Sequence, residues 1–271
     1  MNKKYLLFDI GGTNTRLALF RQGAKSFDEP IIYKTPKKFS DGMKKLKTMA
    51  TQVCGSKIAG AAGGIAGPMD STKAKLVNPP NLKGWGGKNF KSTLSKIINA
   101  PVTVDNDTAV VGLGEAVAGA GKGFPIVVYV TVSTGVNGVR VVNGKIDPSY
   151  LGFEMGKQIM DEQGRNLEWY VSGNSLKKRY GKIPHEIKDK KIWANVIKHL
   201  AVGLNNTILH WSPHVVVLGG GVMNEMTMPP IAKELKKILK IYPKLPAIKR
   251  SKLGDFGGLH GARTLIRQIK K

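Results

Sequence analysis

Residues 9–16, Asp-Ile-Gly-Gly-Thr-Asn-Thr-Arg, combine residue types that hold phosphate groups. Glycines at a tight bend let backbone N–H groups approach an anion closely, and threonine and asparagine side chains add donors. Asp9, at the end of an apolar run, is placed to hold a hydrated Mg²⁺ ion near those phosphates. An ordinary hairpin turn has a similar composition. The flanking Asp, Thr and Arg favour the phosphate interpretation.

Residues 104–108, Val-Asp-Asn-Asp-Thr, put carboxylates where a predicted strand passes into a predicted helix. We interpret Asp107 as a general base that accepts the proton of a sugar hydroxyl, with Asn106 orienting the substrate. An aspartate at such a junction is also a common helix N-cap, and the segment taken alone favours the cap.

Two later segments contribute glycines at predicted bends. Residues 131–138, Thr-Val-Ser-Thr-Gly-Val-Asn-Gly, resemble the first turn in composition and are a second phosphate-turn candidate, with a plain hairpin as the alternative. The apolar strand at 215–218 runs into three glycines, and strand ends of this kind line ligand clefts in α/β sheets. A plain loop is the alternative there.

Two carboxylates, Glu154 and Glu168, lie fourteen residues apart in the chain. Their spacing is compatible with hydrogen bonds to adjacent sugar hydroxyls, and a pair of solvated surface acids is the alternative interpretation. The five histidines do not pair with cysteine or with each other at metal-ligand spacing. The sequence therefore predicts no zinc site.

The elements that must position these residues alternate between strands and helices. Strands are predicted at 4–10 and 16–20, and again at 126–133 and 138–142, so that each half of the chain has one strand–turn–strand unit. Helical spacing follows at 107–119 and 192–208, among others. This pattern predicts two similar α/β lobes that offer backbone amides to one cleft.

The composition narrows the class of protein. Hydrophobic residues make up 41% of the 271 residues, which is enough for a buried core, and Cys54 as the single cysteine excludes an internal disulfide. No apolar run is long enough for a signal peptide or a membrane span, so we expect a cytoplasmic protein without a membrane partner.

The net charge of +25 is compatible with binding of nucleic acid, with a polyanionic substrate or with a general basic bias of the proteome. The lysines are scattered along the chain, so we expect no nucleic-acid partner.

Taken in order, the motifs resemble the ROK family of sugar kinases, which have an actin-like ATPase fold. The resemblance runs through nearly the whole chain and rests on many short motifs in family order. They include D-I-G-G-T-N-T-R, G-G-I-A-G-P, P-N-L-K-G-W, V-D-N-D, T-V-S-T-G-V-N-G, G-F-E-M-G, L-E-W-Y-V-S-G, V-V-V-L-G-G-G-V and L-G-D-F-G-G-L-H-G-A.

The resemblance implies a role for each candidate residue. Asp107 is implied as the catalytic base and Asp9 as a Mg²⁺ ligand through water. The implied ligands of the sugar are Asn81, Asn106, Glu154 and Glu168. The implied ligands of ATP are Gly11, Gly12, Thr13, Asn14, Thr134, Gly135 and Gly138 at the phosphates, with Gly219, Gly220 and Gly221 near the adenosine.

Two departures from the family pattern concern the sugar site. Lys157 stands where the family has histidine, and the Cys-rich zinc loop that many members carry after it is missing. The sequence leaves open whether Lys157 pairs with Glu154 or touches the substrate. The sugar-binding loop must be held without zinc.

The resemblance predicts a two-lobed, ribonuclease H-like α/β fold with an active-site cleft between the lobes. The predicted lobes are 1–106 with 255–271, and 107–254. The expected activity is phosphorylation of a hexose, above all glucose at its 6-hydroxyl, with ATP and Mg²⁺. The alternatives are a polyphosphate-dependent glucokinase, an N-acetylhexosamine kinase, and a non-enzymatic sugar-responsive or nucleic-acid-associated regulator. The resemblance leaves a homodimer open.

Overall fold

The computed structural model describes residues 3–55 and 57–269. Residues 1–2, 56 and 270–271, which fall within the first predicted lobe, lie outside the described residues. The chain forms two compact units. The first comprises Met1–Val117, Pro148–Gly152 and Asp255–Lys271, and the second comprises Ala118–Asp147 and Phe153–Gly254. No helix among the described residues is long and apolar enough to cross a membrane.

Each unit contains one five-stranded mixed sheet and several helices, so the predicted α/β class is confirmed. The strands are β1 (Lys4–Ile10), β2 (Asn14–Arg21), β3 (Ile31–Lys34), β4 (Gly60–Ile65), β5 (Val102–Asn106), β6 (Ile126–Val132), β7 (Val136–Val142), β8 (Lys145–Ile146), β9 (Val215–Gly219) and β10 (Ala247–Arg250). The helices are α1 (Phe39–Cys54), α2 (Phe90–Ile98), α3 (Asp107–Ala118), α4 (Leu167–Val171), α5 (Gly173–Tyr180), α6 (Lys190–Trp211), α7 (Met228–Ile238) and α8 (Gly257–Gln268).

The sheet of the first unit has the order β3-β2-β1-β4-β5. The central strand β1 pairs antiparallel with β2 and parallel with β4. Because side chains alternate across a strand, β1 supplies two separate cores. Leu6 and Phe8 pack with the residues of α1 and α2, whereas Tyr5 and Leu7 pack with α3 and α8. The strand is therefore apolar on both faces, which explains the uninterrupted hydrophobic run at residues 5–8.

The sheet of the second unit has the order β10-β9-β6-β7-β8. Strand β6 pairs parallel with β9 and antiparallel with β7. Val128 and Val130 of β6 are fully buried and belong to one core with Leu200 and Leu204 of α6. This core holds the ends of β6 and β9, where the second turn and the three glycines lie.

All of α3 except its last residue, Ala118, belongs to the first unit, whereas the sequence predicts a boundary before this helix, after Asn106. Close packing explains this difference. A Cβ atom on Gly114 would lie 2.4 Å from the carbonyl oxygen of Gly257, and one on Gly261 would lie 1.8 Å from that of Val110. The glycines of α3 and α8 thus let two helix backbones touch, and both helices cover the same face of the first sheet.

Candidate active site

The first candidate phosphate turn, residues 11–13, connects β1 to β2. The N–H of Gly11 donates to the carbonyl oxygen of Asn14 over 2.9 Å. Thr35 braces the turn, because its hydroxyl donates to the Gly11 carbonyl over 2.8 Å and its N–H donates to the Thr13 carbonyl over 2.9 Å. Gly12 and Thr13 are exposed. The turn is therefore fixed through its carbonyl oxygens and presents its tip to solvent.

Close packing against another segment explains why residue 12 is glycine. A Cβ atom at this position would lie 2.6 Å from the Cβ atom of Asn81, which is closer than real side chains pack. Asn81 is exposed and lies directly against the turn. The structure thus brings this sequence-predicted sugar ligand beside the first phosphate turn.

Asp9 lies at the end of β1 and faces Arg16 across the β1–β2 pair. The Arg16 guanidinium is 3.7 Å from the Asp9 carboxylate and 3.7 Å from that of Asp255. Burial and the charge of Asp107 raise the pKa of Asp9 to about 7, although Arg16 opposes the shift. Asp9 is therefore a buried carboxyl whose ionisation depends on a nearby positive charge.

Asn106 forms the N-terminal cap of α3. Its side-chain oxygen accepts hydrogen bonds from the N–H groups of Thr108 and Ala109, over 3.0 and 3.3 Å. Its side-chain nitrogen donates to the carbonyl oxygen of Gly67 over 3.0 Å. The cap that the sequence suggested for Asp107 is thus largely supplied by its neighbour, and the same side chain ties the helix start to the loop after β4.

Asp107 is the first residue of α3, and its carboxylate accepts a hydrogen bond from the Thr108 N–H over 2.8 Å. Burial raises the pKa of Asp107, although hydrogen bonds with Thr108 lower it in part. Gly64 of β4 leaves room for this residue, because a Cβ atom there would lie 2.8 Å from the Asp107 Cα. A carboxylate in this setting has the raised proton affinity that a general base requires.

The second candidate phosphate turn, residues 133–135, connects β6 to β7 in the second unit. The start of α5 braces it, because the Gly173 N–H donates to the Ser133 carbonyl over 2.7 Å and the Asn174 N–H donates to the Thr134 carbonyl over 3.3 Å. Thr134 is exposed. As in the first turn, a neighbouring element donates hydrogen bonds to the carbonyl oxygens of the turn.

Gly138 lies within β7, and packing explains why this position is glycine. A Cβ atom there would lie 2.6 Å from the Met155 sulfur. Its N–H donates to the side-chain oxygen of Asn137 over 2.8 Å. Gly138 is buried, unlike Thr134 at the turn itself.

Glu168, in the first turn of α4, contacts both the residue after the second turn and Lys157. One carboxylate oxygen accepts a hydrogen bond from the Val136 N–H over 3.0 Å, immediately after the second turn. The other oxygen is 2.7 Å from the Lys157 ammonium. The sequence leaves the partner of Lys157 open between Glu154 and a substrate. It does not predict the pair with Glu168, because residues 157 and 168 belong to no common local pattern. Glu154 immediately precedes the short 3₁₀ helix Met155–Lys157, and its carbonyl oxygen accepts from the Lys157 N–H over 2.9 Å.

The loop between Lys157 and α4 is held by Asp161. Its carboxylate accepts hydrogen bonds from the backbone N–H groups of Gln163 and Arg165, from the Arg165 side chain at 2.5 Å and from the Tyr170 hydroxyl. The Arg165 guanidinium also lies over the Trp169 ring, 4.8 Å from its centroid. These side chains hold the segment in which the zinc loop of many ROK family members is missing.

The three glycines after β9 differ in their surroundings. A Cβ atom on Gly219 would lie 2.6 Å from the Tyr129 hydroxyl, and Gly220 has a φ of +93° and would place a Cβ 2.4 Å from the Val132 carbonyl. Gly221 has open space around its Cβ position. Packing therefore explains Gly219 and Gly220, whereas nothing in the described part of the chain demands glycine at position 221.

A magnesium ion at this site would have to complete its shell with water and phosphate oxygens. Among residues 3–55 and 57–269, no group of three or more histidine, cysteine, aspartate or glutamate side chains has the geometry to hold a metal. Mg²⁺ is commonly bound through one or two carboxylates plus substrate phosphates, so Asp9 beside the first turn fits this mode.

The comparisons with known proteins agree with this architecture. The N-acetyl-D-glucosamine kinase of Histophilus somni is 28% identical to this chain, over 97% of this chain and 98% of the relative. The enzyme of the same name from Shigella flexneri serotype 5b is 29% identical, over 96% and 98%.

Solved structures show the same fold. A ROK hexokinase from Thermus thermophilus superposes with a TM-score of 0.80 and 24% identity, covering 100% of this chain and 99% of that chain. A ROK glucokinase from Streptomyces griseus, in complex with glucose and AMPPNP, gives a TM-score of 0.79 and 22% identity, over 99% and 100%. The fold is thus that of the actin-like ATPases. The model of the ROK family matches residues 5–269, so this chain belongs to the ROK family of sugar kinases.

Proposed function

We propose that this chain transfers the γ-phosphoryl group of ATP to the 6-hydroxyl of a hexose, with glucose as the first candidate substrate. The observation that carries the proposal is the Asp107 carboxylate, held at the start of α3 by the Thr108 N–H and raised in proton affinity by burial. Such a group accepts a hydroxyl proton as the oxygen attacks phosphorus in line.

The remaining roles are those that the resemblance to the ROK family implies. Asn81, Asn106, Glu154 and Glu168 bind and orient the sugar. The phosphates of ATP are held at the two turns, by Gly11, Gly12, Thr13, Asn14, Thr134 and Gly135, with Gly138 supporting the second turn. Gly219, Gly220 and Gly221 lie along the nucleoside. Phosphoryl transfer mainly needs positioning and neutralisation of charge, and these groups supply both.

A Mg²⁺ ion bound through Asp9 and water would neutralise the phosphate charges. Arg16 at 3.7 Å favours the charged form of Asp9, whereas burial and the charge of Asp107 oppose it and raise the pKa to about 7. Asp107 is a second negative charge close enough to raise the pKa of Asp9. A cation bound at this position would therefore be attracted by two carboxylates.

N-acetylglucosamine is the second candidate substrate. The reason is that the Histophilus somni and Shigella flexneri relatives, at 28% and 29% identity over almost their whole length, bear the name of N-acetyl-D-glucosamine kinase. Both sugars present the same 6-hydroxyl to a base, so the two candidates share Asp107 and differ in the contacts at carbon 2.

The experiment is a coupled ADP-release assay of the purified chain with ATP and Mg²⁺. The acceptors are glucose, mannose, N-acetylglucosamine and N-acetylmannosamine, and the donor is then changed to polyphosphate. We expect ATP-dependent turnover of glucose. Preference for N-acetylglucosamine would select the second candidate, and no turnover with any acceptor would refute the proposal.

We further propose that the protein acts in the cytoplasm on these small molecules. Cys54, the single cysteine, is buried and forms no disulfide, which suits the reducing conditions of that compartment. A homodimer is compatible with this proposal, and gel filtration with light scattering would measure the state of assembly.

A further inference from the structure

Glu168 occupies an unusual position among the candidate residues, because it touches both the turn proposed for the nucleotide and the segment proposed for the sugar. One of its oxygens accepts from the N–H of Val136, 3.0 Å away, directly after the second turn. The same oxygen would lie 2.8 Å from a Cβ atom on Gly135, so a side chain at this position would displace the Glu168 carboxylate. The carboxylate therefore sits against the backbone of the turn itself.

Lys157 fixes the other oxygen of this carboxylate. Its ammonium lies 2.7 Å from the second oxygen, and the side chains are about half and one-third exposed, at 54% and 29%. A carboxylate has roughly four acceptor sites, so two remain when Val136 and Lys157 each take one. Glu168 can thus accept a hydrogen bond from a sugar hydroxyl while it keeps its bonds to Val136 and Lys157.

We propose that Glu168, held by Lys157, couples the sugar to the nucleotide by ordering the second phosphate turn when the sugar binds. This inference rests on the proposed function, because it takes Glu168 as a sugar ligand. A sugar hydroxyl that donates to Glu168 restricts its rotamers. The restricted carboxylate then holds the Val136 N–H and the adjacent Gly135 in one position, so the turn is ordered before the phosphates arrive. Coupling of this kind is reciprocal, and each ligand raises the affinity of the other by the same factor.

Lys157 acts as a positioning residue in this scheme. Exposed ion pairs contribute little to folding stability, so loss of the ammonium is expected to leave the fold intact. What changes is the freedom of the Glu168 side chain, which would lose the ion pair and retain the hydrogen bond from Val136. The effect of the lysine is thus expected in the coupling between ligands and not in the melting temperature.

The test is isothermal titration of the full chain with AMPPNP and Mg²⁺, in the absence and in the presence of saturating glucose. N-acetylglucosamine replaces glucose if the acceptor assay selects it. We expect the sugar to lower the Kd for AMPPNP by about five-fold or more in the unmodified protein, within the usual range of coupling between sites. Lys157→Met should lose most of this factor while the Kd for AMPPNP alone changes by less than about two-fold.

Two matched variants separate positioning from a general loss of charge or fold. Lys157→Arg keeps a cation beside Glu168 and should retain the coupling. Lys177→Met removes an exposed lysine from the last turn of α5 and should behave as the unmodified protein. Equal sugar-induced factors in Lys157→Met and in the unmodified protein would overturn the inference, as would equal weakening of AMPPNP with and without sugar.

Failure of this inference can be told apart from failure of the proposed function. A chain that phosphorylates a hexose but shows no sugar-dependent change in the Kd for AMPPNP overturns only the coupling. A chain that neither binds nor phosphorylates any sugar of the panel overturns the proposed function, and the coupling with it.

Discussion

Asp9 and Arg16 face each other across the first two strands, with 3.7 Å between guanidinium and carboxylate. Arg16 lies equally far from Asp255, which is close to Asp9 in space and also affects its ionisation. Burial, Asp107 and Asp255 all raise the pKa of Asp9, and Arg16 lowers it, so that the group titrates at about 7. Small changes in the surrounding charge should therefore alter the fraction of ionised Asp9 at neutral pH.

The first prediction concerns activity against pH. Protonated Asp9 does not hold a cation, so kcat/KM for Mg·ATP should fall as the pH falls through about 7. Arg16→Met removes the charge that lowers the pKa and should move this acid limb to higher pH. Asp255→Asn removes a charge that raises it and should move the limb in the opposite direction, by less because Asp255 is exposed. If the unmodified protein and the two variants lose activity at the same pH, the fall in activity does not come from Asp9.

The second prediction concerns stability. The raised pKa means that the folded protein binds the Asp9 proton more tightly than the unfolded chain, whose carboxyl titrates near 3.8. The stability from this group is thus fully present below about pH 4 and is lost as the pH rises towards 7. Asp9→Asn should raise the free energy of unfolding at pH 8 by about 1 kcal/mol or more, because one pKa unit corresponds to about 1.4 kcal/mol. Urea titrations at pH 8 and pH 5 should show a smaller gain at pH 5.

The third prediction concerns the general base. Asp107→Asn should lower kcat by about 10²- to 10⁴-fold, the usual contribution of a positioned base, with the Kd for the sugar nearly unchanged. Asp105→Asn is the matched control. Asp105 lies in the same segment, but its carboxylate pairs with Lys73 at 2.9 Å. Steady-state kinetics and sugar titration measure both effects, and turnover of Asp107→Asn within ten-fold of the unmodified enzyme would rule out the role.

The fourth prediction separates packing from ligand binding at the glycines after β9. Gly220→Ala should destabilise the second unit by about 1–3 kcal/mol, because φ is +93° and the methyl group would meet the Val132 carbonyl. Gly221→Ala meets open space and should leave the melting temperature unchanged. If the nucleoside lies at this position, the same variant should raise the KM for ATP. An unchanged KM would remove Gly221 from the binding surface.

The fifth prediction concerns the loop before α4. Burial raises the pKa of Asp161, but hydrogen bonds from Tyr170 and Arg165 outweigh it and lower the pKa to about 2, so the carboxylate stays ionised at neutral pH. Asp161→Asn should lower the melting temperature and raise the KM for the sugar several-fold, since the loop leads to Glu168.

The same loop should not depend on zinc. Treatment with a chelator, followed by excess Mg²⁺, should restore full activity to the unmodified protein. A requirement for added zinc would contradict the role of Asp161 as the anchor of the loop.

Several features could be predicted from the sequence because they depend on neighbours along the chain. Runs of apolar residues predicted β1 and β6, and the glycines and polar residues after them predicted both turns. Asp107 was a candidate because it follows a strand and opens a helix, but that position alone favours a helix cap, and the resemblance to the ROK family implied its role as a base. Short edge strands such as β3 and β10 were not predicted, because four residues carry too little pattern to distinguish a strand from a loop.

The contacts that complete the candidate site join residues far apart in the chain, and periodicity contains no information about them. Asp255 approaches Arg16 because α8 packs under β1, and Thr35 reaches the first turn because β3 pairs with β2. The pairing of Lys157 with Glu168 depends on how the loop folds around Asp161. The sequence by itself determined the local elements and the residue types at their ends. Only the tertiary structure decided which of those residues meet and how their charges act on each other, because electrostatic energies depend on distance and burial, which the packing of remote segments sets.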